Sequence, residues 1–292
     1  MKHSNIKAQL LILMAAVLWG TNGTAQAFSP EAANPMTIAA LRTAIGGTLL
    51  FSISALRGSF KEISAISKKN VFMASVSIAF YQVFFFMGVS KTGVALGTIL
   101  AIGSAPVFSG IIEFFQGIRQ NKQWVLATGI SIAGCVMLFS GQDNIVFDPY
   151  GAVLCLGAGL SYAFYVSVSQ SLISKWPRDA VNGLIIFSSA IILSPILFLN
   201  DLSWLMSAEG LIPVLHLGVL ATALAYTLFT CGLPHVTVSK AVALTLAEPV
   251  TASLLGIIVL KECVTYISLI GIILIFTGLA FNVISKSNKS EI

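Results

Sequence analysis

Charge is scarce in this sequence. Of 292 residues only 9% are Asp, Glu, Lys or Arg, whereas a water-soluble domain carries about a quarter, so too few charges remain to coat a soluble globule. Cysteine and histidine are thin as well. Cys135, Cys155, Cys231 and Cys263 lie far apart inside apolar runs, which excludes a disulfide framework and marks them as small core residues. His3, His216 and His235 are dispersed, and the sequence has no HExxH metal motif, no GxSxG nucleophile elbow and no nucleotide-binding P-loop. The expectation is therefore no catalytic residue, no metal and no direct ATP drive. Glycine keeps no fixed period and buriable side chains abound, so neither a collagen-like nor a disordered chain fits.

What the sequence has in excess is apolar length: 57% of its residues are hydrophobic and its mean hydropathy is +0.93. A helix needs roughly 20 apolar residues to cross about 30 Å of hydrocarbon, because in lipid each backbone polar group must be satisfied within its own segment. Ten runs qualify, at about 8–28, 36–56, 71–90, 93–115, 124–141, 150–172, 181–199, 211–232, 240–260 and 266–285. The connectors are short, so neighbouring helices are antiparallel and no separate soluble domain fits between them. The first run, with Lys7 before it and Ala25-Gln26-Ala27 at its end, has the form of a signal peptide; its near-spanning length and its place in the repeat described below favour an uncleaved helix.

Orientation follows from the loops, since short cytoplasmic loops retain Lys and Arg. With the N-terminus inside, the cytoplasmic side receives Lys2, Lys7, Arg57, Lys61, Lys68, Lys69, Arg119, Lys122, Lys175, Arg178, Lys240, Lys286 and Lys289, and the outer side only Lys91 and Lys261. Asp143, Asp148, Asp201 and Glu209 fall outside. This places both chain ends in the cytoplasm, with 286–292 as a cytoplasmic tail. It also accounts for the formal charge of +5 without a nucleic-acid partner.

The two halves resemble each other. Ala105-Pro106-Val107 in helix four lies over Glu248-Pro249-Val250 in helix nine; Gly129 to Gly134 faces Gly271 to Gly278, and Tyr81 to Gly88 faces Tyr226 to Gly232. The shared order and spacing of these matches carries more weight than any one of them. Five helices per half require the second half to enter from the opposite side, so residues 1–141 and 150–285 form two inverted five-helix repeats of an all-α membrane protein. Such repeats are the architecture of many secondary transporters, with the substrate site near the midplane between them. Pro106 and Pro249 inside helices would each free a carbonyl and create a kink, either a tolerated kink in a packed helix or one bordering the cavity. Gly93, Gly97, Ala101, Ala105 and Ser109 form a stripe of small residues on helix four, suited to close packing on a partner helix.

On these residues the chain resembles the EamA family of the drug/metabolite transporter superfamily, over both halves. The motifs are Leu18-Trp19-Gly20, Pro35 followed by Arg42, Thr222-Ala223-Leu224-Ala225-Tyr226, and the run from Glu248-Pro249-Val250 through Leu260-Lys261-Glu262 to Gly271 and Gly278. Two positions depart from the pattern: Arg119 stands where the first half would match Glu262, and Ser161-Tyr162-Ala163 stands opposite Trp19-Gly20. The resemblance implies a ten-helix carrier of small metabolites, amino acids or drugs, often outward, without a cofactor.

A charge in hydrocarbon costs at least about 2.5–3.5 kcal/mol and turns toward a cavity or a partner. Glu248 lies eight residues beyond Lys240, roughly 12 Å at helical rise, near the midplane. It would exchange a proton as access alternates or pair with a cationic substrate; a fixed ion pair or a hydrogen bond to a carbonyl beside Pro249 is the structural alternative. Arg42, six residues into helix two, suits a gating or structural anchor at the outer helix ends. Glu113, near Arg119 and Lys122, reads as a solvated interface charge. Trp19, Asn22, Tyr81, Gln82, Tyr162, Tyr165 and Tyr226 form a polar and aromatic set fit to line a site for an organic solute or hold an ammonium group, although each such aromatic could equally be lipid-facing or interfacial. Trp124, Trp176 and Trp204 at segment ends suit the interface, and His216 suits helix packing.

The sequence thus points to a secondary transporter in the plasma membrane, an exporter working by alternating access with proton coupling, acting on a small organic solute as monomer or homodimer. An importer or facilitative carrier of the same fold is the nearest alternative. An intramembrane enzyme or a membrane scaffold or sensor is the alternative of another class.

Overall fold

A computed structural model describes residues 2–140, 148–261 and 265–284. Asp143, Glu262, Cys263 and the 286–292 tail lie outside the described residues. Ten helical spans are long and apolar enough to cross a membrane: Ile6–Ala27, Pro35–Leu56, Lys68–Thr92, Leu96–Phe115, Lys122–Phe139, Pro149–Ile173, Arg178–Phe198, Ala208–His235, Val238–Ile258 and Tyr266–Ile284. They are numbered one to ten below. Several begin at side-chain caps that satisfy otherwise unpaired amides. Asn34, Ser67, Asn121, Asp148 and Thr237 accept from Met36, Asn70, Trp124, Gly151 and Lys240 respectively.

The halves interlock rather than sit side by side. Span three packs on six, two on seven, one on eight and five on ten, so most large interfaces join the repeats. Small residues permit this, because helices in lipid associate through close backbone approach. A Cβ at Gly134 would meet the Gly271 carbonyl at 2.8 Å, and one at Gly271 would meet the Gly134 carbonyl at 2.7 Å, so spans five and ten require glycine at their crossing. The small stripe of span four packs partly on span six, where Gly159 lies against Ala101 and Ala105.

Three spans are broken near mid-depth. Span one divides at Thr21 into the helices Lys2–Gly20 and Asn22–Ala27. The Thr21 hydroxyl donates to the Leu18 carbonyl at 2.7 Å, so its oxygen accepts from Nε2 of His216, 2.9 Å away. His216 is therefore a packing and hydrogen-bonding residue. Span eight widens to a π-helical turn over Val219–Leu224, where the Thr222 hydroxyl donates to the carbonyl of Leu217. Span nine divides between the helices Val238–Leu244 and Ala247–Ile258.

That last division changes the meaning of Pro249. The sequence puts it inside a helix, as it does Pro106; in the structure only Pro106 is interior, within the helix Val94–Phe115. Pro249 is third in its helix, where no intrahelical donor is required. The amide of Glu248 takes the carbonyl of Thr245 instead.

Two charged residues also differ from expectation. Glu113 is 1% exposed, not a solvated interface charge, because its carboxylate is occupied by the other half of the protein. Lys240 is buried rather than in a loop, since the Thr237 cap starts span nine earlier and draws the lysine into its first turn.

Candidate functional site

The broken spans meet in one place. Gly20, at the break in span one, crosses the start of the second helix of span nine so closely that a Cβ there would stand 2.7 Å from the Glu248 carbonyl and 2.5 Å from Cβ of Thr251. Only glycine admits this approach without displacement, and it brings Trp19 and Asn22 beside Glu248.

These residues surround a small chamber of about 30 Å³, space for about one water, lined by Trp19, Asn22, Arg42, Tyr81, Tyr162, Tyr226, Thr245 and Glu248, with Ala101, Ile102 and Ala105 of span four. The chamber continues into a vestibule of about 400 Å³ that adds Gln82, Phe85, Phe86, Thr98 and Pro249 and reaches Gln26, Pro35, Val89 and Val94. Those last positions lie at one end of the bundle, opposite the end that carries the basic connectors after spans two, four and six.

Arg42 is the fixed point of the wall. It is buried; Nη1 donates to Oδ1 of Asn22 at 3.1 Å and Nη2 to Oε1 of Gln82 at 3.0 Å. Two amides from different spans thus orient a cation that faces the vestibule rather than snorkelling to the interface. Its Nε has no partner among the described residues. Glu248 is half-buried in the first turn of its helix, where unpaired amides favour an acid. Among the described residues no ion pair joins Arg42 to Glu248, so a cation and an acid face one cavity without a salt bridge between them.

The aromatic residues form a connected wall. Trp19 lies edge-on to Tyr226, with ring centroids 5.3 Å apart, and to Tyr162 at 6.3 Å; Tyr81 is 5.4 Å from Tyr162. Tyr165 departs from its expected role. It is 1% exposed and stands behind Tyr162 and Tyr226 at about 6 Å, supporting the lining without belonging to it. Gln82 lines the vestibule but not the chamber, Pro249 lines the vestibule, and Pro106 lines neither although its neighbour Ala105 does. Thr245 went unrecognised in the sequence; its spacing of three from Glu248 would put both on one helical face and was the available signal.

Toward the basic end the chamber is closed. Gln170 donates to the Leu233 and Val236 carbonyls at 2.9 and 2.7 Å, and Gln116 donates to Ser167 at 3.1 Å. Oε1 of Glu113 accepts from the Val238 amide at 2.6 Å, while its Oε2 accepts from the Ser239 amide at 3.2 Å and from Gln120 at 2.7 Å. A larger hollow of about 560 Å³ beside Thr24, Ile212 and Leu255 presents mostly apolar surface, with Thr21, Glu209 and His216 also on its border.

The chain is similar over nearly its full length to proteins named as transporters. It is 40% identical to the uncharacterized transporter YwfM of Bacillus subtilis, across 97% of this chain and 95% of that one. It is 24% identical to the uncharacterized inner membrane transporter YicL of Salmonella typhimurium, across 94% of each. A solved structure titled only as the crystal structure of a protein shares the fold with a TM-score of 0.82 at 20% identity, covering 94% of this chain and 95% of that one. The EamA-like transporter family matches twice, over residues 6–140 and 149–284, one match for each repeat. This multi-pass membrane protein, with two five-span halves closing around one polar and aromatic cavity, belongs to the EamA-like transporter family.

Proposed function

We propose that the protein is a secondary exporter of a small organic solute, working by alternating access in the plasma membrane with both chain ends in the cytoplasm. The observation that carries this reading is the cavity between the halves: it holds one cation, Arg42, and one acid, Glu248, within an aromatic wall, its lining reaches the end opposite the basic connectors, and at the basic end hydrogen bonds tie the spans together. The basic connectors favour the closed end as the cytoplasmic one, which makes this the outward-facing state.

In this reading Arg42 receives an anionic or hydrogen-bond-accepting group of the solute. Glu248 receives a cationic group or a proton, and the tyrosines and Trp19 cover the apolar part. The partnerless Arg42 Nε and Tyr162 hydroxyl gain partners when the pocket closes around a solute, relieving about 1–3 kcal/mol for each buried group left unpaired. A proton entering from outside on Glu248 and leaving inside would drive the solute outward. No lining residue is a nucleophile paired to a base, which favours a carrier over an intramembrane enzyme.

The test has two stages. A thermal-shift screen of the purified protein against amino acids, amines, sugars and nucleosides identifies a ligand, because binding to the folded state raises its apparent stability. Flux of that ligand into proteoliposomes is then measured with and without a pH gradient. Gradient-dependent flux of unaltered solute supports the proposal; a chemically altered product, or stabilisation without flux, defeats it.

A further inference from the structure

We infer that Glu113 is the latch of the cytoplasmic gate, holding the two repeats together at the basic end so that the cavity opens only outward. This rests on the alternating-access reading and names the residue that sets which face is closed.

Glu113 stands near the end of span four in the first repeat, and its carboxylate grips the first two residues of span nine in the second. The same oxygen that accepts from Ser239 also accepts from Gln120, whose own Oε1 accepts from the Ser239 hydroxyl at 2.9 Å. The carboxylate therefore has a donor on each oxygen, and three of these bonds cross between the halves. Charge-assisted bonds of this kind are roughly twice as strong as neutral ones, and a buried carboxylate that loses them is left desolvated and unpaired. Such a contact has two states, made or broken, and breaking it requires the spans to separate far enough for water to enter.

The latch is tied mechanically to the site. Span four carries Ala101 and Ala105 in the chamber wall and Glu113 at the closed end, and its interior proline, Pro106, lies between them. Span nine carries Val238 and Ser239 at the gate and Glu248 in the chamber, and its break, which holds the chamber residue Thr245, lies between them. Both spans can thus bend between solute and latch. Nor is the device duplicated: the register that sets Ala105-Pro106 over Glu248-Pro249 puts Gly256 opposite Glu113. The acid therefore biases the pair of states in one direction.

The experiment measures accessibility in a background with all four cysteines replaced. A Ser169→Cys reporter, buried on the cytoplasmic side of the chamber, and a Thr98→Cys reporter, in the vestibule wall, are alkylated by a water-soluble maleimide. Glu113→Gln keeps one acceptor and turns an amide donor toward the remaining N–H groups. Val238→Pro breaks the latch from the other repeat; the first helical position tolerates proline, and Thr237 already has the extended backbone that a following proline demands. Gel filtration and thermal unfolding confirm that each variant is folded.

Both substitutions are expected to speed alkylation at the Ser169→Cys reporter by about tenfold or more, the ratio that one such hydrogen bond commands, and not to speed it at the Thr98→Cys reporter, whose rate falls only in proportion to the outward population lost. Folded variants that label at the parent rate at both positions overturn the latch. Faster labelling at both reporters together describes a bundle loosened at both ends, which overturns the alternating-access reading on which the latch rests.

Discussion

Spans four and nine occupy equivalent places in the two repeats and align at a proline, yet they solve different problems. Span four runs as one helix through Pro106 and offers the chamber only small side chains, Ala101 and Ala105, with Ile102 beside them. Span nine stops before Glu248 and restarts, so that Pro249 falls in a first turn and the acid faces the cavity from the start of a helix. One repeat supplies a wall that lets other groups come close; the other supplies charge and a backbone break. Sequence symmetry brought the two spans to the same place, and departure from symmetry gave the site its chemistry.

If that division is right, the greatest loss comes from removing charge on the span-nine side. Glu248→Gln should lower gradient-driven flux about 30-fold or more, the factor that about 2 kcal/mol carries, while the variant elutes and unfolds like the parent. Flux that keeps its pH response in the variant would move the coupling group elsewhere. The next effect belongs to Arg42, whose two held nitrogens are specific to a guanidinium fork. Arg42→Lys retains the charge but cannot reach Asn22 and Gln82 together, so ligand affinity should fall by about tenfold, as expected for one lost charged hydrogen bond. An unchanged Kd in a titration would reduce Arg42 to bulk charge.

The close crossing that presents Glu248 can be tested by stability alone. Gly20→Ala would place a methyl against Thr251 and the Glu248 carbonyl, and overpacking of that kind costs about 1–3 kcal/mol. The unfolding midpoint should drop by a few degrees, with ligand affinity reduced alongside it. A neutral result would mean that the two spans do not cross as described, and the contrast between spans four and nine would lose its geometric basis.

The spans themselves were legible because lipid imposes a length on apolar runs, and the match at the two prolines was enough to propose the repeat. Arg42 and Glu248 stood out because charged groups at that depth turn toward a cavity or a partner; the aromatics were marked by depth alone, since aromatic rings also face lipid and its interface. The breaks were harder to read. Nothing in Val219–Leu224 announces a π-helical turn, and the break in span nine falls a turn ahead of the proline that signals it. Glu113 was misread for a deeper reason. Its partners are backbone amides 125 and 126 residues away, and a backbone amide carries no residue-type signal, so the sequence offers only nearby Arg119 and Lys122 as companions. Tyr165 shows the opposite failure: depth suggested a lining residue, but which face of span six meets the cavity depends on packing between the halves.

The prolines make the finest test of the comparison. In span four Pro106 removes an amide from the middle of a continuous helix, leaving the Ile102 carbonyl without its usual partner. In span nine Pro249 stands where the helix has no carbonyl to offer its nitrogen. Pro106→Ala should therefore raise the unfolding midpoint, by an amount equivalent to about 1 kcal/mol for one recovered hydrogen bond, and stiffen the span between chamber and gate. Pro249→Ala should leave stability within about 0.5 kcal/mol of the parent. If Pro249→Ala were the more stabilising change, the lower half of span nine would be joining the upper half into one helix, and the break that aims Glu248 into the cavity would owe its existence to that proline rather than to the crossing at Gly20.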